Sequence, residues 1–183
     1  MRGHRDQVQL WLTIVTLATL VVGGSAATRA ADVTFDPNPG FVCDTLLVNV
    51  KIDASVTDLR GFTFVFEFNP AAVTPIAVVA GPLETGAACG NFFQWINSAA
   101  IGDSIYVDGA TLGCSVAGPG SIIQMTFATV AHAATSPLRC RSGAMRNALN
   151  QPIPYTCHAG TLQTCPGIAV EPQPWTRVKR LFR

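Results

Sequence analysis

The sequence is poor in charge: Lys, Arg, Asp and Glu together make up 13% of its 183 residues. From Asp32 to Ile168 only Lys51, Arg60, Arg139, Arg141 and Arg146 are basic, against nine acidic residues, a net charge of −4. Nucleic-acid binding depends on clustered Lys and Arg that neutralise phosphates, so nucleic acid is not an expected partner. No Cys-x-x-Cys spacing occurs, and His132 and His158 form no zinc-like pattern with the cysteines, which argues against a zinc centre. The contiguous EF-hand pattern is missing as well, so no cofactor is expected. Structural calcium on loop carboxylates and carbonyls is the one metal these residue types would suit. After Asp32 no apolar run is long enough to cross a bilayer as a helix. Nor does any segment hold an apolar i, i+3, i+4, i+7 pattern over three turns, so helix should be minor. Internal repeats and low-complexity tracts are absent.

What is present begins with residues 1–31, which read as a secretory signal. Arg2 and Arg5 give a positive start, an apolar run follows from Val8 to Val22, and small residues at Ser25-Ala26-Ala27 or Thr28-Arg29-Ala30 suit cleavage. Export agrees with the cysteines, since all six (Cys43, Cys89, Cys114, Cys140, Cys157 and Cys165) lie after the leader and their number is even. Such usage is read as disulfides in a secreted or cell-surface protein. The remaining chain is then one domain, residues 32–168, followed by a linker and tail, residues 169–183.

The domain carries the period-two signature of strands. Leu46, Val48, Val50 and Ile52 alternate with Leu47, Asn49, Lys51 and Asp53; Phe62, Phe64, Phe66 and Phe68 share one face, with Thr63, Val65 and Glu67 on the other. Ile123, Met125 and Phe127 form a third run, and Ile105 with Val107 a shorter fourth. Turn signals at Asn69-Pro70, Gly81-Pro82, Gly118-Pro119-Gly120 and Asn150-Gln151-Pro152 separate these runs. The expected fold is all-β: an antiparallel jelly-roll sandwich of about nine strands, with Val48, Val50, Phe62, Phe64, Phe66, Phe68, Met125 and Phe127 in its core.

Residues suited to catalysis are few. Gly113-Cys114-Ser115-Val116-Ala117 comes within one residue of a nucleophile elbow, but a disulfide candidate precedes Ser115 and a Pro-Gly turn follows, so the strand-to-helix context is missing. Glu67 faces outward, while Asp44, Asp53, Asp58, Asp103 and Asp108 read as residues of strand ends or turns, where carboxylates are ordinarily solvated. No enzyme is expected. Trp95 and Tyr106, with Phe92, Phe93 and Tyr155, are candidates for an aromatic platform that stacks on a sugar ring. Phe93 and Trp95 share a face if this stretch is a strand, and core packing is the commoner fate of such rings.

The order of these features resembles the cohesin domain. The opening strand Leu46 to Asp53 is followed by Leu59-Arg60-Gly61-Phe62-Thr63-Phe64 running into Phe66-Glu67-Phe68-Asn69-Pro70, where cohesins tend to carry Tyr-Asp-Pro. Gly81-Pro82-Leu83 and Gly118-Pro119-Gly120-Ser121-Ile122-Ile123-Gln124-Met125-Thr126-Phe127 match two further strand signatures. The resemblance implies a jelly-roll binding module that recognises a protein partner, dockerin-type or another surface protein, in extracellular assembly or adhesion. The alternative within the same sandwich type is a module that binds polysaccharide.

Three disulfides are expected. Cys89 precedes one aromatic strand and Cys114 follows the Ile105–Ala110 strand, so pairing of these strands as a hairpin brings the two cysteines together. Cys140 and Cys157 bracket a stretch rich in Asn, Gln and Pro with little core material, and Cys43 is left with Cys165. In the tail, Glu171-Pro172-Gln173-Pro174 reads as a stiff linker. Trp175 to Arg183 is a short basic segment, amphipathic if helical, although nine isolated residues rarely hold a helix.

Overall fold

The computed structural model describes residues 29–97 and 102–167. The expectations for the leader before residue 29 and for the tail beyond residue 167 lie outside the described residues. The elements are β1 (Ala31–Asp36), β2 (Gly40–Val42), β3 (Thr45–Ile52), β4 (Leu59–Glu67), β5 (Val73–Ala80), α1 (Pro82–Thr85), β6 (Gly90–Asn97), β7 (Ser104–Leu112), β8 (Gly120–Thr129), β9 (Thr135–Asn147), β10 (Tyr155–Cys157) and β11 (Gly160–Thr164). One sheet runs in the order β10-β1-β3-β8-β5 and the other β2-β11-β9-β4-β7-β6.

The prolines of Asp36-Pro37-Asn38-Pro39 explain how the first strand serves both sheets. Proline cannot donate to a ladder and interrupts strand pairing. Ahead of them β1 pairs with β3 and β10; after them β2 pairs with β11 in the opposite sheet. The pairs β1–β10 and β2–β11 are parallel, while the other strand pairs are antiparallel. Eleven strands stand where about nine were expected, and the three-residue β2 and β10 are too short to show periodicity.

The alternation of apolar residues becomes the core between the sheets. Val48, Val50, Phe62, Phe64, Phe66, Phe68, Met125 and Phe127 are all buried, as expected. Phe64 and Phe66 stack with ring centroids 5.5 Å apart, and Phe35 from the other sheet meets Phe66 edge-on at 5.8 Å. Edge-to-face and offset pairs suit the ring quadrupole and add to the area buried.

Three crosslinks close the sandwich: Cys43–Cys165, Cys89–Cys114 and Cys140–Cys157. The composition after Cys140 predicts an irregular stretch, but β9 runs to Asn147, so Cys140 sits inside a strand. The reason is pairing: Thr135 to Leu138 ladder with β11 and Arg139 to Asn147 with β4, and the long β4 ladder holds a sequence with little strand preference of its own.

Candidate binding face

The outward side of β6, β7, β4 and β9 forms one continuous face whose composition follows from register. Antiparallel pairing sets outward residues opposite one another, so the face reads as rows across the strands. The first row is Phe92, Ala110, Gly61 and Arg146; the second is Gln94, Asp108, Thr63 and Ala144; the third is Ile96, Tyr106, Val65 and Ser142.

Each row has its own chemistry. In the second, Asp108 accepts hydrogen bonds from Thr63 Oγ1 at 2.6 Å and Gln94 Nε2 at 3.3 Å, so both carboxylate oxygens are held within the row. Asp108 was expected at a strand end or turn; it lies mid-strand because β7 extends from Ser104 to Leu112, and these donors satisfy it there. Apolar side chains flank this polar row. Phe92 is 46% exposed and Ile96 59% exposed, while Tyr106 is half-buried and Val65 nearly covered.

Beyond the third row lies a charged corner. Arg141 contacts Asp103 at 3.2 Å and Glu67 at 3.9 Å, and donates to Ser104 Oγ at 3.0 Å. The Ser104 hydroxyl, followed by the Arg141 guanidinium, holds the Asp103 carboxyl below its ordinary range. In the first row the small residues Gly61 and Ala110, with Ala144 beside them, leave a shallow depression of about 250 Å³ between Phe92 and Arg146. A Cβ at residue 61 would meet only Gly109 O at 3.5 Å and the Ala110 Cβ at 3.7 Å, so the dip is open to an incoming side chain.

The five aromatic candidates do not form one platform. Phe92 and Tyr106 lie on the outer face. Phe93 and Trp95 occupy the inward register and pack against the core, and Tyr155 meets Phe64 edge-on at 5.5 Å. Phe92 was among the aromatic candidates, whereas Ile96 was not singled out from the sequence and Arg146 was noted only as a basic residue. The signal was available in the alternation of Phe92, Gln94 and Ile96 against Phe93 and Trp95.

Ser115 follows the crosslinked Cys114 in the turn after β7. The two histidines among the described residues are engaged elsewhere, His132 Nδ1 with Cys165 O at 3.3 Å and His158 Nε2 with Asp32 at 2.8 Å. Among the described residues no three His, Cys, Asp or Glu side chains converge as a metal site, and no helix is long and apolar enough to cross a membrane.

No family model matches the sequence, and no curated protein matches it. Solved structures do resemble the fold. A non-cellulosomal cohesin from the archaeon Archaeoglobus fulgidus has 13% identity and a TM-score of 0.62, covering 74% of this chain and 91% of that one. The sixth cohesin of Acetivibrio cellulolyticus scaffoldin B, solved with a mutant Cel5 dockerin, has 13% identity and a TM-score of 0.60, with 74% and 99% covered. The OlpA cohesin of Clostridium thermocellum, solved with the Doc918 dockerin, has 14% identity and a TM-score of 0.62, again with 74% and 99% covered. This chain has the jelly-roll fold of cohesin modules.

Proposed function

We propose that this cohesin-fold chain is a non-catalytic, extracellular binding module that receives a protein partner of dockerin type on the outer face of β9, β4, β7 and β6. The observation that carries the reading is the face itself: exposed Phe92 and Ile96 beside Tyr106, crossed by the Thr63–Asp108–Gln94 ladder. Exposed apolar side chains set beside satisfied polar groups on one sheet face suit a protein partner. Stacking on a sugar ring would call for aromatic planes turned to solvent, whereas Trp95 packs inward. The cohesins solved with dockerins support the choice of partner class. Three disulfides support an oxidising, extracellular location.

The test begins with capture from the source organism's secreted fraction, after which the captured protein is identified and expressed alone. Titration against the wild type and against Phe92→Ser/Ile96→Ser should show affinity weakened by about tenfold or more in the double variant, as for loss of central apolar contacts. Unchanged affinity, or retention by insoluble polysaccharide in place of protein, overturns the reading.

A further inference from the structure

We propose that the partner seated on this face is acidic where it meets β9, and that it sets one apolar side chain into the dip over Gly61 with a carboxylate against Arg146. This rests on the binding face proposed above and adds the partner's chemistry.

The argument starts from how charge is distributed. The domain is acidic overall, yet four of the five basic residues between Asp32 and Ile168, Arg60, Arg139, Arg141 and Arg146, lie on β4 and β9. Only Arg141 is matched, by Asp103 and Glu67. Arg146 donates to the Asn150 carbonyl at 3.0 Å and Arg60 to the Ala148 carbonyl at 3.3 Å. A carbonyl satisfies a donor but leaves the charge in place. Arg60, Arg139 and Arg146 have no ion-pair partner among the described residues, and all three are exposed.

Of the carboxylates nearby, two are matched by Arg141, while Asp108 and Asp58 accept from neutral donors, which fixes their orientation and leaves their charge. Asp108 is held by Thr63 and Gln94, Asp58 accepts the Ala148 N–H at 3.2 Å, and Glu67 and Asp103 face Arg141. The result is a depression floored by Gly61, Ala110 and Ala144, with Phe92 and Arg146 at its ends and the hydrogen-bonded pair Thr63 and Asp108 along its side. Guanidinium pairs strongly with carboxylate through two parallel hydrogen bonds. An apolar side chain followed by Asp or Glu therefore fits both the space and the charge.

The experiment uses a display library of a surface-randomised three-helix scaffold, selected against the oxidised wild-type chain. The binders are then measured against Arg139→Glu/Arg146→Glu, Arg146→Lys, Ala144→Phe and Phe92→Ser/Ile96→Ser. The expected binders carry Asp or Glu beside one aliphatic or aromatic residue. Their affinity should fall about tenfold or more for the charge-reversed and dip-filling variants, and by a smaller factor for Arg146→Lys, which keeps the charge but loses the two parallel hydrogen bonds. Raising salt from about 50 mM to about 500 mM should weaken them. Unchanged melting of each variant shows that the fold is intact. Binders lost on Phe92→Ser/Ile96→Ser but indifferent to charge reversal, or rich in Lys and Arg, overturn the acidic partner and leave the face standing. Binders indifferent to every variant overturn both, as does a selection that yields none.

Discussion

The ring of Phe62 fills the space that a side chain at Gly109 would need: a Cβ built on residue 109 falls 2.3 Å from Phe62 Cζ. The two residues face one another in the β4–β7 register, and Phe62 is buried, so the ring has little room to retreat. Gly109→Ala should destabilise by about 1–3 kcal/mol, the usual cost of overpacking. Phe62→Leu should cost stability alone yet recover part of the loss when combined with Gly109→Ala, since residues in contact are not additive. Urea unfolding of the two single variants and the double variant measures this coupling; strict additivity would show that the strand faces are not in contact as described.

Glu84, on α1, is 1% exposed, and neither carboxylate oxygen has a hydrogen-bond partner among the described residues. Burial raises its pKa from 4.5 to about 7. The sign follows from linkage. The folded state holds the proton more tightly than the unfolded state, so stability is full below pH 4.5, falls as pH rises toward 7, and levels off above. The loss across that window is on the order of 3 kcal/mol. Glu84→Gln should match the wild type's trend in acid and surpass it in stability above about pH 7. Asp53 and Asp103 act in the opposite direction: their pKa values are lowered, and what they contribute is lost on acidification below the ordinary carboxylate range. Denaturant melts at pH 4 and pH 8 check the prediction; a difference between variant and wild type that does not change with pH would refute it.

The crosslinks should differ in worth according to the loops they close. Cys43–Cys165 spans 122 residues, Cys89–Cys114 spans 25 and Cys140–Cys157 spans 17. Restriction of the unfolded chain gives about 5 kcal/mol for the first and about 3 kcal/mol for each of the others. Replacing both cysteines of a pair by serine should therefore cost most for Cys43 and Cys165, as read by thermal unfolding of the three double variants. Equal losses would show that local packing, rather than chain entropy, sets their contribution.

The core was legible because burial on one face imposes strict alternation, and Phe62 to Phe68 and Val48 to Ile52 state it without interruption. What sequence conceals is position within a sheet. Asp108 resembles a turn carboxylate until Thr63 and Gln94 are brought beside it by strands distant in the chain. β9 is held along Arg139 to Asn147 by the ladder to β4, so its Arg- and Ser-rich residues become strand without strand preference. Nothing in Pro82-Leu83-Glu84-Thr85 announces that α1, packed on β8, buries Glu84. The binding face follows the same rule: its rows join residues from four strands, and no single run of sequence contains one.

The Cys43–Cys165 bond, with its Cα atoms 4.7 Å apart, also governs how the domain would meet mechanical load. A pull applied beyond both cysteines passes through the covalent link and bypasses the ladders between them. Tension could then peel away only β1 and β2, which precede Cys43, while the four strands of the binding face would feel none of it. Grip on a partner and resistance to stretching are thereby separated, the first resting on weak contacts and the second on a single bond between sulfurs.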